Sequence, residues 1–346
     1  MQINRIISTV DTHTAGEPTR IITAGIPNIV GKTMLDKKLW LQNNMDNVRK
    51  MVMLEPRGHK DMFGAILTQP VSEDADAGVI FMDGKGYLDM CGHGSIGSVT
   101  VLLNSGMIPI NQESGKTQKV VIDTPAGKIT AHAEFENGVT TSVKICNVPA
   151  FYYDSVVVEL PSIGKINVNI SYGGNFFALV NAEELNMEVD IANIDRLTAV
   201  GIEIRNRVNG LIEVIHPESK NRCEVALTEI YQDALPETSD DTTKSISKYH
   251  SKNIVVFGNG QIDRSPCGTG TCAKMAYLYS KKKLAIGEPY IHASIINTTF
   301  VGRIIKETSA GDKKAIVPEI TGRAHITGFH NFVLEKDDPF NEGFSL

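Results

Sequence analysis

Apolar and polar side chains along this chain fall mainly into short runs with partial two-residue alternation: RIISTVDTHT, RIITAGI, KMVMLEP, AGVIFMD, KVVIDTPAGKITAHAEF, TTSVKICNV, DSVVVELPSI, KINVNISYGG, FFALVNA, EVALTEIY, NIVVFGNG, FVGRIIKE and HITGFHNFVLE. Most are rich in β-branched residues, which suit a pleated and half-buried surface. Gly, Pro, Asn or Asp bounds them, as turns between strands require. Helical spacing is confined to four stretches, about 36–51, 93–105, 190–209 and 268–282. The mixture predicts an α+β protein whose strand-rich domains each pack on a central helix. Residues 233–252, DALPETSDDTTKSISKYHSK, are polar and nearly free of apolar side chains, and are expected to form a surface loop.

The pattern repeats at a distance. Cys91 opens CGHGSIGSVTVLL and Cys267 opens CGTGTCAKMAYLY; each is a Cys-Gly-x-Gly turn leading into an amphipathic helix. Gly127 of AGKITAHAE lies thirty-six residues after Cys91, and Gly302 of VGRIIKET thirty-five after Cys267. Such spacing predicts two similar units, one over residues 1–150 with a C-terminal tail at 327–346, the other over 151–326. A length of 346 residues suits two domains better than one core.

Composition narrows the class. A hydrophobic share of 42% and a charged share of 21% are those of a soluble globular protein. A net charge of −6 argues against nucleic acid or an anionic membrane as a partner. No apolar stretch approaches the roughly 20 residues that span a bilayer, and no secretory leader is evident, so a cytoplasmic protein is expected. Five cysteines, Cys91, Cys146, Cys223, Cys267 and Cys272, are an odd number without a Cys-x-x-Cys pair. A disulfide framework and a zinc site are both poorly served, and chemistry at sulfur becomes the better reason for them. The nine histidines form no HExxH pattern, so no metal is expected.

A helix N-terminus presents unpaired N–H groups and partial positive charge. A thiol there is expected to have its pKa lowered from about 8.5, which brings the thiolate within reach of neutral pH. The following glycines let backbone approach a ligand closely, and the free N–H groups suit a carboxylate. A single cysteine so placed reads as a small buried hydrophobe. Two in matched units point to chemistry: one sulfur takes an α-proton as thiolate, and the other delivers a proton to the opposite face as thiol. That inverts an amino acid without metal or pyridoxal phosphate.

DMCGHGSIG around Cys91 and DRSPCGTGTCAK around Cys267 resemble the two active-site motifs of the proline racemase family. The resemblance runs through DTHTAGEPTRI at 11–21, LEPRGHKDMFGA at 54–65, GGNFFALV at 173–180, FGNGQIDRSPCGTG at 257–270 and DPFNEGFSL at 338–346. It implies a pseudosymmetric two-domain fold like that of diaminopimelate epimerase with its site in the cleft, a homodimer, no cofactor, and proline or a hydroxyproline as substrate. By position it makes Cys91 and Cys267 the acid–base pair. It makes Gly92, His93, Gly268 and Thr269 donors to the substrate carboxylate, Asp263 the partner of its amino group, and Phe63 and Phe257 the walls around the ring. Family members that dehydrate trans-3-hydroxyproline carry Thr at the second cysteine position, so Cys267 points to inversion. Cys272 and the length of 233–252 depart from the family pattern.

Other residues read as structural. His93 is expected to position the turn or to hydrogen-bond near the carboxylate, and His13 and His59 to make structural hydrogen bonds. Cys146 and Cys223 lie in apolar strand patterns as core thiols, and Cys272, about 140° around the helix from Cys267, should face the core. Gly92, Gly94 and Gly97 are a weak nucleotide motif without a downstream acid. A thiol redox protein using Cys91 and Cys267 as a disulfide pair, and a non-catalytic amino-acid binder, remain as alternatives.

Overall fold

Thr14 and Glu17 face each other across a two-residue turn in which Ala15 and Gly16 both take positive φ, 52° and 96°. That conformation matches the twist of the flanking strands, β1 (Ile3–Thr14) and β2 (Glu17–Ala24), and closes them into a hairpin. Asp11 and Arg20 pair across it, and the ion pair at 2.9 Å is buried with the guanidinium over Phe332. The computed structural model describes residues 2–111, 116–234 and 249–345. The chain divides into two units, one holding residues up to Val148 and from Thr321 onward, the other Pro149–Ile320.

In the first unit, helices α1 (Met34–Asn44) and α2 (Asp46–Met53) carry the chain from β2 to the parallel strand β3 (Phe63–Thr68). Thr33 caps α1 in a reciprocal pair with Asp36. KMVMLEP is expected as a strand, yet Met51, Val52 and Met53 belong to α2 and bury against Ile22, Ile66, Ile80 and Met82. A short continuous apolar run fits a buried helix as well as a strand, and here packing decides. β4 (Ala77–Asp83) runs antiparallel to β3 and turns through β5 (Tyr87–Leu88) into α3 (Gly92–Asn104). From Gly92 to Leu103 every residue of α3 is buried, as a helix wrapped by strands must be. It crosses to β6 (Thr117–Thr124), parallel to β4, followed by β7 (Gly127–Glu136) and β8 (Val139–Cys146).

The second unit opens with β9 (Phe151–Leu160), β10 (Gly164–Tyr172) and β11 (Phe176–Asn181) as an antiparallel meander. α4 (Ile194–Leu211) buries Leu197, Val200, Ile204 and Val208 on one helical stripe. After the small hairpin β12 (Val214–Ile215) and β13 (Arg222–Cys223), β14 (Val225–Asp233) lies parallel to β11 and antiparallel to β15 (Ser251–Phe257). β16 (Gln261–Asp263) folds back on β15 and leads into α5 (Gly268–Ser280). Strand β17 (Pro289–Ser294) is parallel to β15 and pairs with β18 (Thr299–Ala310); β19 (Lys313–Gly322) ends at the unit boundary. The last strand, β20 (Ala324–Glu335), pairs with β1 in the first unit.

Each unit thus has the same order of pairing, and in each the cysteine-bearing helix joins two parallel strands. The glycine spacing that suggests the repeat is not its basis. Gly127 sits in a tight turn at the start of β7 (φ +129°), whereas Gly302 lies inside β18 with room for no Cβ against Met275. Of the expected loop at 233–252, Asp233 ends β14 and Ser251 and Lys252 begin β15; residues 235–248 lie outside the described residues. No helix among the described residues is long and apolar enough to cross a membrane.

Candidate active site

Both cysteines are the N-cap residues of their helices. Cys91 Sγ accepts the Gly94 amide at 3.3 Å, and Cys267 Sγ the Gly270 amide at 3.4 Å. The sulfur takes the place an Asp or Ser oxygen usually fills, satisfying the third N–H of the helix. The next amides close the first helical turn, Ser95 onto the Cys91 carbonyl and Thr271 onto that of Cys267. No protein group among the described residues takes the amides of Gly92, Gly268 or Thr269. A carboxylate at either turn would find donors there.

In the first unit the sulfur is almost fully buried. His93 Nδ1 lies 3.3 Å from Cys91 Sγ, and its ring packs edge-on against Phe63 with centroids 4.6 Å apart. The Thr14 hydroxyl donates to the His93 carbonyl at 3.0 Å, which ties the β1–β2 turn to the cysteine turn. The unit therefore brings Cys91, Gly92, His93 and Phe63 together.

The second turn is more constrained. Cys267 has φ +59°, a left-handed conformation that a residue with a Cβ adopts at a cost. Its surroundings over-determine it: the Cys267 amide donates to Ser265 Oγ at 3.1 Å, and the Ser265 amide to Asp263 Oδ1 at 2.8 Å. Asn253 Nδ2 and Thr271 Oγ1 both donate to the Pro266 carbonyl. Thr269 Oγ1 is 3.7 Å from the sulfur. Asp263 is buried in β16, and Phe257 is buried at the far end of β15, opposite Gln261 across the same hairpin. Burial pushes the Cys267 thiol well above its ordinary range, and the Asp263 and Glu229 carboxylates add to the shift. The Gly270 amide and Thr269 hydroxyl pull the other way and are outweighed. The lowered pKa expected from the helix terminus alone is therefore not found at Cys267, because desolvation disfavours the thiolate more than one N–H favours it.

A cluster of buried polar residues lies under this turn: Glu229 on β14, Lys274 on α5 and His292 on β17, all fully inaccessible. Sequence reasoning passes over them. The available signal is a charged residue on a buried register, Glu229 within VALTEIY and Lys274 two helical turns from Cys267 on the same face. Among the thiols, all five are unpaired with one another, and Cys272 is buried as expected. Cys146 and Cys223, expected in the core, are half-buried because β8 and the two-residue β13 leave a side open. His13 and His59 accept backbone amides of Gly16 and Asp61, as structural residues do. No group of three or more His, Cys, Asp or Glu side chains among the described residues is arranged around a common metal position.

The family model for proline racemase matches residues 9–345. A proline racemase of Acetoanaerobium sticklandii is 47% identical over 348 residues, and one of Clostridioides difficile 45% over 347; each alignment covers the whole of both chains. Among solved structures, a hydroxyproline epimerase from Agrobacterium vitis with bound trans-4-hydroxy-L-proline superposes with a TM-score of 0.90 at 30% identity, covering 100% of this chain and 97% of that one. The chain is thus an enzyme of the isomerase class. It belongs to the proline racemase family.

Proposed function

We propose that this chain interconverts L- and D-proline, with Cys91 and Cys267 as the acid–base pair. The observation that carries the reading is that two topologically matched units each place a cysteine sulfur at the N-cap of a buried crossover helix. In the reaction, one thiolate removes the α-proton and becomes a thiol. The electron pair delocalises into the substrate carboxylate, and the other thiol delivers its proton to the opposite face of the α-carbon and becomes the thiolate. No atom is gained or lost, and the two sulfurs exchange roles. The amides of Gly92, His93, Gly268 and Thr269 stabilise the charge that develops on the carboxylate, where a single such donor is worth about 3–4 kcal/mol. Asp263 pairs with the ring ammonium. Phe63 and Phe257 line the apolar ring, metal and pyridoxal phosphate take no part, and the assembly is a homodimer.

Polarimetry with each enantiomer, in chelator and without added cofactor, tests the activity. Cys91→Ser and Cys267→Ser should each abolish it with an unchanged circular dichroism spectrum, because a hydroxyl is far less acidic than a thiol. More than a few per cent residual turnover in either variant ends the two-base reading. A redox protein would instead cycle the two thiols through a disulfide, and a binder would tolerate either loss.

The similarity to the Agrobacterium vitis epimerase favours a second reading, epimerisation of 4-hydroxyproline by the same cysteines. The phenyl groups of Phe63 and Phe257 favour proline. A buried ring hydroxyl without a partner costs about 1–3 kcal/mol, a factor of about five to 150, and proline is expected to lead by at least roughly tenfold in kcat/KM. Equal or better turnover of trans-4-hydroxy-L-proline selects the epimerase.

A further inference from the structure

The polar cluster under the second cysteine turn holds more than the proposed proton transfers use. Glu229 is completely buried, and no hydrogen bond of ordinary geometry reaches either carboxylate oxygen. An unpartnered buried carboxyl group is costly to the fold, so its effect is to be sought in its neighbours. A Cβ built on Gly270 would lie 2.5 Å from Glu229 Oε2 and 3.2 Å from Cys267 Sγ. Carboxylate and sulfur therefore both border the space that one methyl group on Gly270 would fill. In the first unit the corresponding turn rests on an apolar floor: a Cβ on Gly94 would meet the Phe81 ring at 3.1 Å and Cys91 Sγ at 3.2 Å. A carboxyl group lies under one cysteine turn and a phenyl ring under the other.

On the two-cysteine reading above, we propose that Glu229 is a positioning residue for Cys267: lying under the first turn of α5, its carboxyl group holds the sulfur in the protonated, proton-donating form. Turnover then begins with Cys267 as the acid and Cys91 as the base. The groups around Glu229 set its charge. Burial pushes it up to about 7, against the opposing pull of Lys274 and the Asn253 amide, while Asp263 on β16 and Asp233 on β14 add to the rise. Lys274 Nζ lies 3.5 Å from Asp233 and 2.7 Å from the centre of the Tyr231 ring. His292 Nε2 is 3.6 Å from Glu229 Oε1, and burial keeps the imidazole neutral; burial likewise keeps Tyr290 a phenol. Glu229 thus ionises before the thiol, and its charge then opposes a second negative charge on the sulfur.

The test is alkylation by iodoacetamide across neutral to alkaline pH, read at each cysteine by peptide mass spectrometry, in the full-length wild type and in Glu229→Gln. At this separation a unit charge shifts a neighbour by on the order of one to two pH units, so the Cys267 midpoint should fall by about that much while Cys91 stays where it is. The alkaline limb of kcat/KM should move to lower pH in the same sense. A merely structural role would expose both cysteines together or lower the melting temperature without moving the Cys267 midpoint, and either result overturns the proposal. Should Glu229→Gln not fold, Glu229→Asp draws the carboxylate back by one methylene and should lower the midpoint by less. An unchanged midpoint in whichever variant folds is equally fatal. The alkylation midpoint reads on Glu229 whatever reaction the enzyme performs, whereas the Cys→Ser assays read on the two-base mechanism.

Discussion

Gly94 and Gly270 occupy the same place in two turns and face different neighbours. At Gly270 a methyl group would sit 2.5 Å from a buried carboxylate oxygen held by the strand β14. At Gly94 it would press on the face of Phe81 at 3.1 Å, which a ring can relieve by moving a few tenths of an ångström. Gly270→Ala should therefore cost more than Gly94→Ala, about 2–3 kcal/mol against about 1 in urea denaturation. Both substitutions should slow turnover, since a methyl group at either glycine would lie 3.2 Å from the neighbouring cysteine sulfur. Equal losses at the two glycines would mean that the floor of each turn yields alike. The surroundings of the two thiols differ in the same way: Cys91 lies beside an imidazole over a phenyl ring, whereas burial, with the Asp263 and Glu229 carboxyl groups adding to it, raises the Cys267 thiol.

At the scale of elements, α5 is anchored by an internal polar layer. Ser171 Oγ of β10 donates to the Ala273 carbonyl, and Thr271 Oγ1 meets His292 Nδ1 at 3.0 Å. That layer carries a pH signature. Glu229 has a folded-state pKa of about 7 against 4.5 unfolded, so between those values the native protein holds a proton that the unfolded chain has released. Its contribution is fully present below about pH 4.5 and is lost as pH rises towards 7. Glu229→Gln should remove this term. Relative to the variant, the wild type should lose on the order of 2–3 kcal/mol across that window, measured by urea titration at a series of pH values. His292, held neutral by burial, acts in the opposite sense: its contribution is present above its ordinary range near 6.5 and fades as pH falls below it. A parallel response of wild type and variant would place Glu229 in a more polar setting than its burial indicates.

For the whole molecule, the proposed reaction requires one substrate to engage a cysteine from each unit. A planar five-membered-ring carboxylate such as pyrrole-2-carboxylate resembles the flattened α-carbon of the transition state and should bind more tightly than proline. At saturation it should protect Cys91 and Cys267 from alkylation together, with one ligand per chain by calorimetry. It should also raise the melting temperature in proportion to ligand excess over Kd. Protection of a single cysteine, or two ligands per chain, would separate the units into independent sites and remove the basis for inversion.

Local chemistry sufficed where a short segment settles its own conformation. Cys-Gly-x-Gly before an apolar periodic stretch announces a helix N-terminus, and α3 and α5 begin at Gly92 and Gly268. Alternating β-branched runs announced most of the strands and hence the α+β class. Tertiary packing decided what local pattern leaves equal. Met51, Val52 and Met53 are helical because a core of Ile22, Ile66, Ile80 and Met82 receives them on one side. Strands such as β4, with AGVIFMD buried at every position, carry no alternation to read. The matched order of strands is likewise a property of pairing, which the glycine spacing suggested for the wrong reason. The charge state of Cys267 lies furthest from the sequence. Its helix terminus argues for a thiolate, but burial raises the thiol, and Asp263 from the preceding hairpin and Glu229 from thirty-eight residues upstream add to the rise. Desolvation and unlike neighbours depend on what folding brings into contact, and a sequence motif specifies its own backbone more readily than its surroundings.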